Sequence, residues 1–192
     1  MGTNVVFSDS LLNPDVRDAK GRRDGAGSGE SGKCVSVVGA GLVGSLAAVV
    51  LAKRGWKVDL YEARGDIRKS KVYAGRSINL ALSYRGIRGL RLGGVDHSVV
   101  KEGIPMRARM IHSLDGRQTP QAYGRDGQHI LSVDRRRLNE RLLDEAESMD
   151  NVSLHFDHKI VGADLDEGTI EFALADGTRR TVTSDFTIGA DG

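Results

Sequence analysis

The sequence predicts an α/β fold, a parallel sheet carrying helices and joined to an antiparallel β layer. Three observations predict it. Val35, Val37 and Val38 form a short β-branched run of the buried-strand kind, and the spacing G-x-G-x-x-G follows at once in Gly39-Ala40-Gly41-Leu42-Val43-Gly44. A helix-forming segment from Leu42 to about Arg54 leads into a second strand, Lys57-Val58-Asp59-Leu60-Tyr61, closed by Glu62. Towards the end of the chain, several short strand-like runs are separated by turn residues such as Asp176-Gly177.

Each part of the glycine segment has a physical task. Gly39 permits the sharp turn out of the strand. Gly41 lacks a Cβ, so a pyrophosphate can approach the backbone, and Gly44 lets the helix lie close on the strands. The helix start offers free N–H groups and a positive dipole end. Lys53 and Arg54 suit its last turn, with Gly55 just past it. Glu62, eighteen residues beyond Gly44, is placed to accept hydrogen bonds from both ribose hydroxyls. Strand, glycine turn, helix, strand and acid together predict a Rossmann-like unit for the ADP half of a dinucleotide. Two blander readings compete. Cys34 to Ala52 carries no charge, as a membrane helix would, but three glycines and two serines interrupt it. A packing turn with no ligand is the other.

Taken from its start, the chain opens with a different composition. Residues 1–33 hold six glycines and five acids, with little to bury, and predict a flexible leader. That stretch has no secretory apolar region, and its acids argue against a mitochondrial presequence. The net charge of +2 over 192 residues predicts no strong pull towards nucleic acid or an anionic membrane. The single cysteine, Cys34, excludes an internal disulfide and reads as a small core residue.

After the turn Ala63-Arg64-Gly65-Asp66, residues 67–74 are polar and basic. Ile78, Leu80 and Leu82 alternate with Asn79, Ala81 and Ser83, predicting a half-buried strand. Arg88 to Val100 predicts a short helix broken near Gly93-Gly94. Met106 to His112 alternates as a strand, Asp115-Gly116 marks a hairpin, and strands follow over Gln121–Tyr123 and His129–Val133. The clearest helix spans residues 134–147, with Leu138, Leu142, Leu143, Ala146 and Met149 on one face and Asp134 or Ser132 as its cap. Val152–Phe156, Lys159–Ala163, Thr169–Leu174 and Thr178–Thr183 predict a strand meander, and residues 185–192 a last strand ending in Gly-Ala-Asp-Gly.

This order of motifs resembles the flavin-dependent aromatic hydroxylases. The resemblance rests on the glycine turn with its strand-end Glu62, on Arg135-Arg136-Arg137-Leu138 opening a Leu-rich helix, and on the terminal Gly-Ala-Asp-Gly. More narrowly, GRSINLALSYRG (75–86), GIPMRARMIHSLDG (103–116) and ILSVDRRRLNERLL (130–143) are similar to the branch that hydroxylates L-kynurenine. It covers residues 35–192 almost without a gap.

The resemblance implies FAD as a non-covalent cofactor, NADPH as reductant, O2 as oxidant and L-kynurenine as substrate. The flavin would carry the chemistry while the protein places and shields it; no catalytic acid–base pair is expected. It implies that Gly39, Gly41, Val43, Gly44, Glu62, Ala63, Arg64, Ala81, Arg135, Ile160 and Asp191 bind the cofactor. Ala81 would lie in a flavin-contacting loop, Arg135 at the pyrophosphate, Ile160 beside the adenine and Asp191 at the ribityl chain. Arg109 would grip the substrate carboxylate, helped by Tyr123, within a substrate-facing layer over about 103–131. The bland reading of Arg109 is an exposed strand arginine.

The family members continue past the residue matched by Gly192. The expectation is therefore an incomplete FAD-binding domain that binds FAD weakly and does not turn over. The full-length family implies the cytosolic face of the mitochondrial outer membrane, and this chain alone the cytosol, with no membrane segment and no nucleic-acid partner. Rival readings are a hydroxylase of another aromatic acid and a non-catalytic nucleotide or partner binder. A metal pair at His155 and His158 is not favoured, since they lie in a strand and its turn. Trp56 reads as packing.

Overall fold

The computed structural model describes residues 32–70, 79–164 and 166–192. The leader expected over 1–33 lies outside them except for Gly32 and Lys33, as does the stretch 71–78. In chain order the described elements are β1 (Cys34–Val38), α1 (Leu42–Ala52), β2 (Lys57–Tyr61), β3 (Asn79–Leu82), α2 (Tyr84–Gly93), α3 (Asp96–Glu102), β4 (Ile104–Met106), β5 (Ala108–His112), β6 (Gln118–Ala122), β7 (Ile130–Asp134), α4 (Arg135–Glu147), β8 (Val152–His155), β9 (His158–Asp164), β10 (Thr169–Leu174), β11 (Arg179–Thr183) and β12 (Phe186–Gly189).

A four-stranded sheet in the order β12-β1-β2-β8 has every pair parallel. Val35, Val37, Val58 and Leu60 face α1 and α4, where Ala48, Ala52 and Leu143 complete a buried cluster. Small residues at one face of α1 (Gly44, Ser45, Ala48, Ala52) let it lie close on the strands. Trp56 packs against the same cluster and meets Phe186 edge-on at 5.4 Å. A second sheet, β3-β7-β4, is antiparallel and buries Leu131 and Val133 with Leu90, Val95, Val99, Leu138 and Leu142.

The third sheet, β11-β10-β9, sets Ile170 and Phe172 against Val38 and Tyr61 at the ends of β1 and β2. Phe172, fully buried, stacks on Tyr61 at 4.4 Å between ring centroids. β5 and β6 form a separate two-stranded ribbon, exposed at every residue.

Several expectations need correction. Val152–Phe156 does not begin the meander: as β8 it adds to the parallel sheet beside β2, and only β9, β10 and β11 form the antiparallel run. The crossover through α4 delivers β8 to the parallel sheet, and alternation over four residues cannot choose between partners. The helical stretch expected from Arg88 does break at Gly93-Gly94, into α2 and α3, but it starts earlier, at Tyr84, where the Ser83 side chain accepts a hydrogen bond from the Gly86 N–H. Gly94, with φ of 74°, ends it in the left-handed conformation. The strand expected over Met106–His112 is interrupted at Arg107, so Met106 pairs with β7 while Ala108–His112 pairs with β6.

Arg68 ties the segment after β2 to α4. Its guanidinium donates to Asp66 at 2.9 Å, to Asp144 at 2.9 Å and to Glu147 at 2.7 Å. The Arg68 hydrogen bonds hold the Asp66 carboxyl below its ordinary range, against the opposing effect of burial. A carboxylate whose pKa is lower folded than unfolded stabilises the fold above the unfolded value of about 4 and loses that contribution as pH falls through the folded one. Arg68→Met is therefore expected to cost on the order of 3 kcal/mol at neutral pH and to flatten the acid limb of a pH–melting profile. An unchanged acid limb would show that Asp66 gains nothing from Arg68.

Candidate dinucleotide site

Because β12, β1, β2 and β8 are parallel, their carboxyl ends lie along one edge, where open α/β sheets bind ligands. Val38 at the end of β1 pairs with Tyr61 of β2 and Gly189 of β12. The glycine turn, Glu62 and Asp191, each just beyond one of those strands, therefore converge.

The turn itself is tight. Gly39 has φ of 104°, and a Cβ there would stand 2.5 Å from the Ala190 carbonyl oxygen. Its N–H donates to the Tyr61 carbonyl at 2.7 Å, and the Ala190 N–H donates to the Val38 carbonyl at 2.7 Å. A Cβ on Gly44 would lie 1.8 Å from the Gly39 carbonyl oxygen. Gly41 is the opposite case: a Cβ there meets nothing within 4 Å. It is the N-cap of α1, with no side-chain cap and no acid in the first turn. The helix start thus presents uncapped N–H groups to open space, which fits an anionic diphosphate.

Glu62 is mostly buried and braces this turn. Its Oε2 accepts from the Ala40 N–H at 3.0 Å, and its Oε1 accepts from the Arg64 N–H and Nε at 3.1 Å each. On the other side of the turn the Ala40 carbonyl accepts from Ser45 Oγ and from Asn139 Nδ2, each at 3.1 Å. Neither Ser45 nor Asn139 was among the residues the sequence pointed to. A serine within a small-residue helix face and an asparagine within a polar helix carry no local signal of a contact with the turn.

The other expected residues are distributed as follows. Val43 (72 % exposed) lies in the first turn of α1, and Ala63 and Arg64 are exposed just past Glu62. Arg135 opens α4 and is exposed, with no hydrogen bond or ion pair among the described residues, whereas Arg136 is held by Glu140 and by the Ile67 and Ser70 carbonyls. Asp134 caps that helix, accepting from the Arg137 N–H at 3.0 Å. Asp191 is exposed, and its Cα lies 2.7 Å from where a Gly39 Cβ would sit. Ile160, opposite Phe172 in the ladder, packs on the Val38–Tyr61 cluster.

Ala81 sits in β3 opposite Ser132 of β7, in the strand that the alternation predicts and not in the loop that the resemblance implies. Arg109 and Tyr123 belong to the exposed ribbon. Arg109 faces Gln121 and donates to its Oε1 at 2.7 Å, and the Tyr123 N–H donates to the Arg107 carbonyl at 2.9 Å. These pairings put Arg109 and Tyr123 on one face of the ribbon, as diagonal neighbours. No hydrogen bond or ion pair among the described residues joins them to the glycine turn.

His155 Nε2 lies 2.8 Å from Asp59 Oδ1 and His158 Nδ1 lies 2.7 Å from the Phe156 carbonyl, and the described residues hold no group of three or more His, Cys, Asp or Glu side chains placed to share a metal ion. Burial and the neighbouring Asp59 carboxylate push the Cys34 thiol up, so it stays protonated. Among the described residues, no helix is long and apolar enough to cross a membrane.

A βαβ unit with an open, uncapped helix start and an acid at the second strand end defines a dinucleotide-binding domain. Residues 33–192 match the family described as FAD binding domain, and the chain belongs to that family. It is 46% identical over 158 residues to the kynurenine 3-monooxygenase of Sus scrofa, an alignment covering 82% of this chain and 34% of that protein. The kynurenine 3-monooxygenase of Stenotrophomonas maltophilia is 41% identical over 162 residues, with coverage of 83% and 35%. The chain thus spans about a third of the length of these curated relatives.

Among solved structures, p-nitrophenol 4-monooxygenase PnpA from Pseudomonas putida superposes with a TM-score of 0.70 at 20% identity, covering 84% of this chain and 41% of that one. PqsL from Pseudomonas aeruginosa, in complex with 2-aminobenzoylacetate, gives 0.65 at 22%, covering 84% and 43%. At those identities the likeness is one of fold.

Proposed function

We propose that this chain is the FAD-binding part of a monooxygenase that uses NADPH and O2 to hydroxylate L-kynurenine to 3-hydroxykynurenine. The convergence of the glycine turn, Glu62 and Asp191 at one sheet edge carries the cofactor half of this reading. The identity to kynurenine 3-monooxygenases, extending through the Arg109 ribbon, supports the substrate half.

In this reading the free N–H groups of α1 at Gly41, Leu42 and Val43 hold the pyrophosphate, with Arg135 as the always-charged counterion. Glu62 takes the adenosine ribose, with Ala63 and Arg64 beside it, and Ile160 lines the adenine. Asp191 accepts from the ribityl chain, and Ala81 touches the flavin from β3. When bound, FAD supplies the electron transfer and oxygen activation; the chain orients it and excludes water. Residues 103–131 form a substrate-facing layer in which Arg109 forks onto the kynurenine carboxylate and Tyr123 adds a hydroxyl donor. The mitochondrial outer membrane is the proposed location of the full-length protein.

The test is kynurenine-dependent NADPH oxidation by the FAD-loaded full-length protein, with and without Arg109→Ala. Loss of a charge-assisted carboxylate contact is worth about 1.5–3 kcal/mol, so KM for kynurenine is expected to rise at least tenfold while FAD affinity holds. An unchanged KM would remove Arg109 from the substrate site.

A further inference from the structure

Asn139 sits one helical turn beyond Arg135 on α4, so the two share a face. Its Nδ2 donates to the Ala40 carbonyl, inside the glycine turn and 99 residues away in sequence. That carbonyl only accepts, so the amide group has one sensible orientation, NH2 towards the turn. The orientation leaves Asn139 Oδ1 buried without a hydrogen-bond partner. Buried acceptors are almost always satisfied, and an exception asks what donor is missing.

Resting on the FAD reading above, we propose that Asn139 is a positioning residue for the cofactor, its Oδ1 accepting an O–H donor that arrives with the dinucleotide. The diphosphate itself brings no donor at neutral pH. The O–H therefore belongs either to a ribityl hydroxyl or to a water held between the diphosphate and α4. In either case the same amide grips the turn by its NH2 and the ligand by its oxygen. It thereby fixes the Ala40–Gly41 peptide, next to the Gly39–Ala40 peptide whose N–H is already committed to Glu62.

The unliganded fold gains little from this amide. The Ala40 carbonyl keeps Ser45 Oγ as a second donor, and an unsatisfied buried oxygen opposes folding. A purely structural asparagine and a ligand-positioning one therefore differ in sign. For Asn139→Leu, of similar size, the melting temperature of the cofactor-free chain is expected to hold or rise, while the FAD dissociation constant rises at least tenfold. Asn139→Ala, which adds no volume, gives the same reading if the leucine variant does not fold. Titrating ADP, which lacks the ribityl chain, separates the donors: an equal loss for ADP assigns a bridging water, and an unaltered ADP affinity assigns a ribityl hydroxyl. FAD affinity within threefold of the unmodified chain, or affinity and melting temperature falling together, overturns the proposal. If the unmodified chain binds neither FAD nor ADP, the FAD reading fails first and this inference with it.

Discussion

Gly44→Ala is expected to destabilise the chain by on the order of 3 kcal/mol or more and to lower its melting temperature by roughly 10 °C. The added methyl carbon would stand 1.8 Å from the Gly39 carbonyl oxygen, and the Ala190 side chain blocks a second direction at 3.2 Å. The neighbours are backbone and a short side chain, so no flexible end can swing away. Relief requires α1 to move more than an ångström off the sheet, which opens the contacts of Ala48 and Ala52 with Val37 and Leu60. A melting temperature within about 2 °C of the unmodified chain would show that α1 does not lie as close as the structure has it.

Glu62→Ala is expected to act mainly on the cofactor, weakening FAD binding by about tenfold to a hundredfold. Charge-assisted hydrogen bonds to the ribose hydroxyls are worth about 1.5–3 kcal/mol. The substitution also frees the Ala40 N–H and the Arg64 N–H, which the carboxylate now holds. The turn loses a brace and the ligand loses an acceptor, so the effect should exceed that of Glu62→Gln. Equal FAD affinity in Glu62→Ala and the unmodified chain would place the ribose elsewhere. Calorimetric titration of both variants distinguishes these results.

How much the sequence disclosed follows from how local each feature is. The glycine turn was legible because its demands are met within the motif: Gly39 takes a left-handed φ, Gly44 lies against Gly39 five residues back, and Gly41 leaves the helix start open. Glu62 was legible because strand and helix lengths fix its distance from the turn. The Leu-rich face of α4 and its Asp134 cap declared themselves through helical spacing and cap chemistry.

What was not legible depended on partners distant in the chain. Val152–His155 alternates equally well for either sheet, and only the crossover through α4 gives it to β2. The break at Arg107 divides one alternating run between two partners, β7 and β6. Asn139 looked like any polar helix residue, because its contact with Ala40 spans 99 positions. Arg109 and Tyr123 fall between these cases. Alternation put them in strands, and the ribbon register put them on one face.

The central claim is that the open bend at Gly41 and the start of α1 hold the diphosphate of FAD. Calorimetric titration of FAD into the purified chain, repeated with saturating ADP, tests it most directly. The account predicts one FAD per chain and a loss of that binding when ADP occupies the bend. FAD binding untouched by ADP, or no binding at all, would contradict it.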